Sequence, residues 1–243
     1  MFWNTDLKFR NWLPKLQAHR GHWIDGLTQN SLDSIQSAFK LNYEMVEFDV
    51  RLTADNVVVL FHDDAIENQE IKSLSFKKLH ALKPVNTLTQ VLTWLSAEKN
   101  KNLKLNIEFK SKLIFGFKLE KMVSQLINQF GVSEQVMVSS FNPLSLARFR
   151  FFSPQVYRGL IQTFEDYPEN NWFVRARVFN LLCRPHALHL RYEDWTAAKY
   201  LNLNKKIPVV LWTLNDLGLY SKINNQIAGA ISDRITPLDL AVN

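Results

Sequence analysis

The stretch Met45-Val46-Glu47-Phe48-Asp49-Val50-Arg51-Leu52-Thr53-Ala54-Asp55-Asn56-Val57-Val58-Val59-Leu60-Phe61-His62 decides how this chain folds. It holds two strand-like runs, Met45–Arg51 and Val57–His62, joined through Thr53-Ala54-Asp55-Asn56. That link is too short for a parallel crossover, which needs a dozen or more residues. It suits a hairpin with Asp55 and Asn56 at its centre. The second run is therefore expected antiparallel to the first, with His62 roughly opposite Asp49. Strand alternation puts Glu47 and Asp49 on one face, roughly 6–7 Å apart along the chain, and Val46, Phe48 and Val50 on the other.

Working outward, strand-like runs at Leu16–His19, Leu103–Phe109, Val136–Ser140, Val156–Ile161, Ala187–Leu190, Ile207–Trp212 and Gly229–Ser232 alternate with amphipathic helical runs. The clearest helical face is Leu119, Met122, Val123, Leu126, Ile127 and Phe130; another is Leu88, Val91, Leu92 and Leu95. Asn142-Pro143 reads as an N-cap followed by proline at the first helical position, and Asn215-Asp216 as a similar start. Such alternation predicts an α/β fold with a parallel sheet. Nine strands is one too many for a (β/α)8 TIM-type barrel, and the hairpin strand at about 57–62 is the surplus one. With no repeat, low-complexity tract or linker, a single domain over residues 1–243 is expected.

Composition bounds the function. The chain has 243 residues, a formal charge of +6 and one cysteine, Cys183. One cysteine rules out an internal disulfide framework and suits a reducing compartment. The longest unbroken aliphatic and aromatic run, Val57–Phe61, is far short of the roughly 18 residues of a membrane-spanning helix. No apolar segment before a small-residue cleavage site opens the chain, so a cytoplasmic protein is expected. The basic excess suits a phosphorylated substrate or an anionic surface, and part of it is local. Arg148, Arg150, Arg158, Arg175, Arg177 and Arg184 lie among Phe149, Phe151, Phe152, Tyr157, Trp172 and Phe173. That patch reads either as lipid- or polyanion-facing, or as solvated arginines over buried aromatics. No nucleic-acid motif of fixed spacing is present, so no nucleic-acid partner is expected.

Two carboxylates on one strand face, Glu47 and Asp49, repel each other and are costly to bury without a cation. Their oxygens suit Mg²⁺ or Ca²⁺. Glu108 and Lys110 repeat the spacing in Leu105-Asn106-Ile107-Glu108-Phe109-Lys110, adding a third carboxylate and an ammonium able to neutralise phosphate. His19 and His62 stand at strand ends, one before Arg20 and one before Asp63, as candidates for acid and base. Two histidines, three carboxylates and two cations suit metal-assisted attack on a phosphate ester.

The ordered set His19-Arg20-Gly21, Glu47-Phe48-Asp49, His62-Asp63 and Glu108-Phe109-Lys110 resembles the glycerophosphodiester phosphodiesterase family. The resemblance continues through Ser139-Ser140-Phe141, Trp212-Thr213-Leu214-Asn215 and Ile231-Ser232-Asp233. It implies a TIM-type barrel with its site at the C-terminal strand ends. It also implies that His19 and His62 are the acid/base pair and that Glu47, Asp49 and Glu108 hold one divalent cation. Arg20 and Lys110 would grip phosphate, and Trp212 would line the pocket. The implied reaction cleaves a glycerophosphodiester to glycerol 3-phosphate and an alcohol through a cyclic phosphate.

Two departures bear on the pocket. Thr28-Gln29-Asn30-Ser31 has Gln29 where the family usually carries an acid, and the stretch between His62 and Glu108 lacks a glycine-containing loop. A more open pocket for a bulkier alcohol would follow. Two other readings compete: lysophospholipase D-type hydrolysis at a membrane surface, and a non-catalytic barrel binding anionic lipid or nucleic acid. A membrane-touching segment at Phe2, Trp3 and Trp12 would suit peripheral contact. Neither the alcohol released nor the oligomeric state is fixed by these residues.

Overall fold

The computed structural model describes residues 7–97, 102–111, 116–164, 180–196 and 203–241. Phe2, Trp3, Trp172, Phe173, Arg175 and Arg177 lie outside these residues. Eight parallel strands close on themselves: β1 (Leu16–His19), β2 (Met45–Leu52), β6 (Lys104–Phe109), β7 (Val136–Ser140), β8 (Tyr157–Gln162), β9 (Ala187–Arg191), β10 (Val209–Trp212) and β11 (Gly229–Ser232). β11 pairs with β1, and β1 with β2, which completes the ring. Outside it lie β3 (Val58–Leu60) and a two-stranded ribbon, β4 (Ala65–Ile66) with β5 (Gln69–Glu70).

β3 runs antiparallel to β2, as the short link demands. The register differs by one residue from the expected one. Val50 faces Leu60, and the Phe61 amide donates to the Asp49 carbonyl, so Phe61 rather than His62 lies opposite Asp49. The cause is the turn. Asn56 takes a left-handed backbone, φ 62°, and its amide donates to the Thr53 carbonyl, giving a three-residue loop, Ala54–Asn56, in place of the two-residue one. Asparagine tolerates that conformation where most residues do not. Val50's carbonyl accepts from Lys110, just past β6, and Asp49's from Phe61, just past β3, so β3 occupies the edge of β2 that β1 occupies lower down. His62 thus stands just past the end of β3, above the end of β1.

Helices α2 (Leu32–Lys40), α3 (Leu88–Ala97), α4 (Lys118–Phe130) and α5 (Pro143–Phe152) pack on the outer face of the ring. Leu88, Val91, Leu92 and Leu95 are all buried, as their spacing predicts. Asn142 caps α5 by accepting from the Leu144 amide; Asp216, rather than Asn215, caps the helix Leu217–Ile223. The lower mouth of the barrel is plugged by α1 (Leu7–Trp12), whose Phe9 packs in one cluster with Met45, Met137, Ala187 and Val210. Trp12 packs against Tyr157 with ring centroids 5.0 Å apart and planes tilted by 52°, and Lys104 lies over its ring, so this aromatic belongs to the barrel base. Among the described residues, no helix is long and apolar enough to cross a membrane.

The aromatic–arginine stretch divides differently from both readings of it. Arg158 is fully buried and donates to the carbonyls of Pro154, Val156 and Cys183. Phe149 is buried, while Phe151 is 83% exposed.

Candidate active site

The upper mouth of the barrel holds a cavity of about 450 Å³ lined by His19, Arg20, Glu47, His62, Glu108, Lys110 and Trp212, seven of the eight residues singled out from sequence. The eighth, Asp49, lies beside them: Glu47, Asp49 and Glu108 each place a carboxylate oxygen within 4.8 Å of the others. Strand geometry explains the meeting. Glu47 and Asp49 share the inner face of β2, and β6 pairs in register so that Asp49 stands beside Glu108.

All three carboxylates are buried, and their charges are held unequally. Burial, reinforced by Asp49 and Glu108, pushes the Glu47 carboxyl well above the usual range. Burial acts on Asp49 too, but Lys110 and Arg20 outweigh it and hold that carboxyl at about 2. The Lys110 ammonium bridges Asp49 Oδ1 at 3.1 Å and Glu108 Oε1 at 2.5 Å, and Arg20 Nε reaches Asp49 Oδ2 at 3.2 Å. An ammonium already seated between two of the carboxylates shows that the cluster draws positive charge. Glu47 Oε1 is buried with no hydrogen-bond partner among the described residues. An oxygen-only donor set with an unused carboxylate oxygen fits a hard divalent cation such as Mg²⁺ or Ca²⁺.

The turn after β1 aims Arg20 inward. Arg20 and Gly21 both adopt left-handed backbones, φ 58° and 82°. A Cβ on residue 21 would lie 2.3 Å from Ser34 Oγ, so only glycine fits there. The turn leaves the Arg20 amide donating to Glu47 Oε2 at 3.1 Å. Gln29 accepts from the Arg20 guanidinium at 2.8 Å.

The two histidines have distinct settings. His19 is the deeper ring, with Nε2 3.9 Å from Glu47 Oε2 and Nδ1 2.7 Å from Asp233 Oδ1. His62 is at the rim, its side chain 39% exposed, with Nδ1 2.8 Å from Asp63 Oδ1. Burial, then the Lys110 charge, lowers the His62 pKa.

A family model described as the glycerophosphoryl diester phosphodiesterase family matches residues 19–236. The chain belongs to that family. A glycerophosphodiester phosphodiesterase of Caldanaerobacter subterraneus subsp. tengcongensis is 27% identical over 161 residues, 59% of this chain and 65% of that protein, just under two thirds of its length. Among solved structures, a glycerophosphodiester phosphodiesterase of Parabacteroides distasonis has a TM-score of 0.77 at 23% identity, covering 94% of this chain and 95% of that one. An Oleispira antarctica phosphodiesterase, solved with the product sn-glycerol-3-phosphate, has a TM-score of 0.74 at 21% identity, covering 92% and 94%. At these identities the structural likeness speaks for the barrel alone.

Three polar partners in this family member escaped the reading of its sequence. Asn30, on a left-handed backbone, donates to Asp49 Oδ2 and accepts from the Asp49 amide, both at 2.8 Å. Asn215 donates to Asp233 Oδ2 at 3.0 Å and accepts from the Asp233 amide at 2.8 Å. Arg51 donates twice to the His62 carbonyl and once to that of Lys110, and pairs with Asp64 at 2.6 Å. Asn30 and Asn215 stand inside stretches quoted from the sequence and Arg51 ends a strand-like run, but what each bonds to is fixed by contacts across the fold.

Proposed function

We propose that this protein is a metal-dependent glycerophosphodiesterase, releasing glycerol 3-phosphate and an alcohol. The observation that carries the reading is one cavity lined by two histidines, three clustered carboxylates and two cations. Glu47, Asp49 and Glu108 would hold one divalent cation, Mg²⁺ or Ca²⁺; when bound, it neutralises phosphate charge and acidifies a nearby hydroxyl. Arg20 and Lys110 face the transferring phosphoryl group and balance the charge that builds on its oxygens.

The settings of the histidines suggest their division of labour. His19, the deeper ring, takes the proton of the glycerol 2-hydroxyl as that oxygen attacks phosphorus. His62, at the open rim, gives a proton to the departing alkoxide as its bond to phosphorus breaks. Water then opens the cyclic phosphate with the two roles exchanged. The alcohol leaves past His62, toward an open recess lined by Thr28, Gln29, His80 and Lys83.

The test is release of glycerol 3-phosphate from glycerophosphocholine and glycerophosphoethanolamine with Mg²⁺, with Ca²⁺ and with EDTA. Metal-dependent release with a bell-shaped pH profile is expected, and His19→Ala or His62→Ala should remove most activity and one limb. Full activity in either variant sinks the assignment.

Peripheral membrane contact is a second part of the reading. Phe151, Phe117, Leu181 and Leu182 are exposed, and Arg150 reaches the Leu182 carbonyl beside them. Apolar side chains among cations suit an anionic lipid surface. Sedimentation with vesicles containing phosphatidylglycerol, but not with pure phosphatidylcholine, is the expected result.

A further inference from the structure

On the side of the barrel that starts at Ser139, beside Glu108, and runs round to β11, the cavity has a different chemistry. There β7 to β11 contribute Ser139, Ile161, His189, Trp212 and Ile231 to its lining. Ser139 and His189 are essentially fully buried, at 0% and 1% exposure. Ser139 Oγ, His189 Nε2 and Trp212 Nε1 have no hydrogen-bond partner among the described residues. Buried polar atoms are normally paired, so three lining one wall point to a polar ligand that pairs with them. Burial lowers the His189 pKa to about 3, keeping the ring neutral. Gly159 makes room for that ring: a Cβ at 159 would lie 2.6 Å from His189 Nε2.

The arrangement fixes which half of a substrate lies there. Phosphate belongs beside Arg20 and Lys110, on the β1–β2–β6 arc. From that point one substituent runs into the enclosed wall and the other past His62 into the open recess. The half common to every substrate suits the enclosed wall, and the variable alcohol suits the open side. A three-carbon polyol can lay its carbon edges on Ile161 and Ile231 and offer a hydroxyl to the polar atoms.

We propose that Ser139 and His189 form a hydroxyl-binding floor that takes the terminal hydroxyl of the glycerol moiety and refuses a glycerol acylated at that oxygen. The proposal rests on the reading of the site as a glycerophosphodiesterase. It adds a selection rule: unacylated glycerol diesters enter and lysophospholipids do not.

The experiment compares kcat/KM for glycerophosphocholine, for the matching diester of propane-1,2-diol and for lysophosphatidylcholine. The propanediol diester keeps the attacking hydroxyl and lacks only the terminal one. The wild-type enzyme should favour the glycerol diester by about 10- to 100-fold, the cost of leaving buried polar groups unpaired. His189→Leu and Ser139→Ala should each shrink that ratio, by lowering the glycerol value and by relieving the unpaired polar group that the propanediol diester leaves behind; His189→Gln should restore part of it. Equal wild-type rates on the two diesters, a ratio unchanged in folded His189→Leu and Ser139→Ala, or faster turnover of lysophosphatidylcholine overturns the floor. If His189→Leu does not fold, Ser139→Ala alone decides. If no diester is cleaved with either metal, the glycerophosphodiesterase reading fails. Calorimetric binding of glycerol 3-phosphate against propane-1,2-diol 1-phosphate then judges the floor separately: tighter binding of the glycerol compound, weakened in Ser139→Ala, upholds it, and equal binding overturns it.

Discussion

His19 Nδ1 and Asp233 Oδ1 lie 2.7 Å apart, joining the end of β1 to the residue after β11 across the seam where the barrel closes. Burial alone would raise the Asp233 carboxyl, but its bond to His19 and then the His19 charge outweigh that and lower it. An ionised Asp233 fixes a proton on Nδ1 and leaves Nε2 facing Glu47, so the ring is held in one tautomer. Asp233→Asn should lower kcat/KM by about 10- to 100-fold. Steady-state kinetics of the variant check this, and an unchanged kcat/KM counts against the pairing.

Glu47 is the costly member of the acidic cluster, since its charge is buried beside Asp49 and Glu108. Without a divalent cation, Glu47→Gln should therefore stabilise the fold by about 1 kcal/mol, as removal of a functional strain does. With cation, the wild type should gain about 2.7 kcal/mol at 100 times the dissociation constant, and the variant little or nothing. Thermal unfolding of both proteins in EDTA, Mg²⁺ and Ca²⁺ reads these changes directly. A wild-type melting temperature that ignores both metals would remove the cation from the account.

Arg51 ties the two chain segments that carry His62 and Lys110, bonding the backbone carbonyl of each. Only a planar guanidinium reaches both carbonyls and Asp64 together, so lysine is a poor substitute. Arg51→Lys should cost about 1 kcal/mol of stability, because a partly buried carbonyl loses its donor. It should also lower kcat more than it raises KM, since His62, which takes two of the three carbonyl bonds, is held less firmly while Arg20 and Lys110 remain in the cavity. Steady-state kinetics and urea unfolding of the one variant separate the two effects.

The ring order and the hairpin were legible because both follow from local rules: period-two alternation, helical spacing and a link too short to cross over. Val136–Ser140 and Gly229–Ser232 have the bounds their apolar runs predict. The register of β3 was not legible, because one left-handed residue, Asn56, decides between two- and three-residue turns. The ribbon Ala65–Glu70 was missed for the same reason: its strands are two residues long and rest on left-handed Glu67 and Asn68. In the site, residues on one strand could be paired by spacing, whereas Asp233 and Asn30 come to His19 and Asp49 from distant segments. His189 carries no signal in its neighbours, and its meaning comes from the wall it shares with Ser139.

His186 and His189 also bear on stability in acid. Burial holds both rings near a pKa of about 3, against about 6.5 in an unfolded chain. The folded value is the depressed one, so between those values the unfolded chain binds protons that the fold refuses. Their contribution is complete above about pH 6.5 and is lost as pH falls toward 3, at about 1.4 kcal/mol per pH unit for each ring. Glu47 works in the opposite sense, since protonation relieves its repulsion. A variant is therefore needed to isolate the histidines. His186 is the better choice because it lies outside the cavity, packed on Phe9 and Tyr157, with its Nδ1 accepting from the Arg158 amide. His186→Asn should lower stability at pH 7 through lost packing, yet flatten the fall in urea midpoint between pH 6.5 and 4.5 by about half. A variant whose midpoint falls as steeply as the wild type would mean that His186 is already charged in the fold or is not protonated on unfolding.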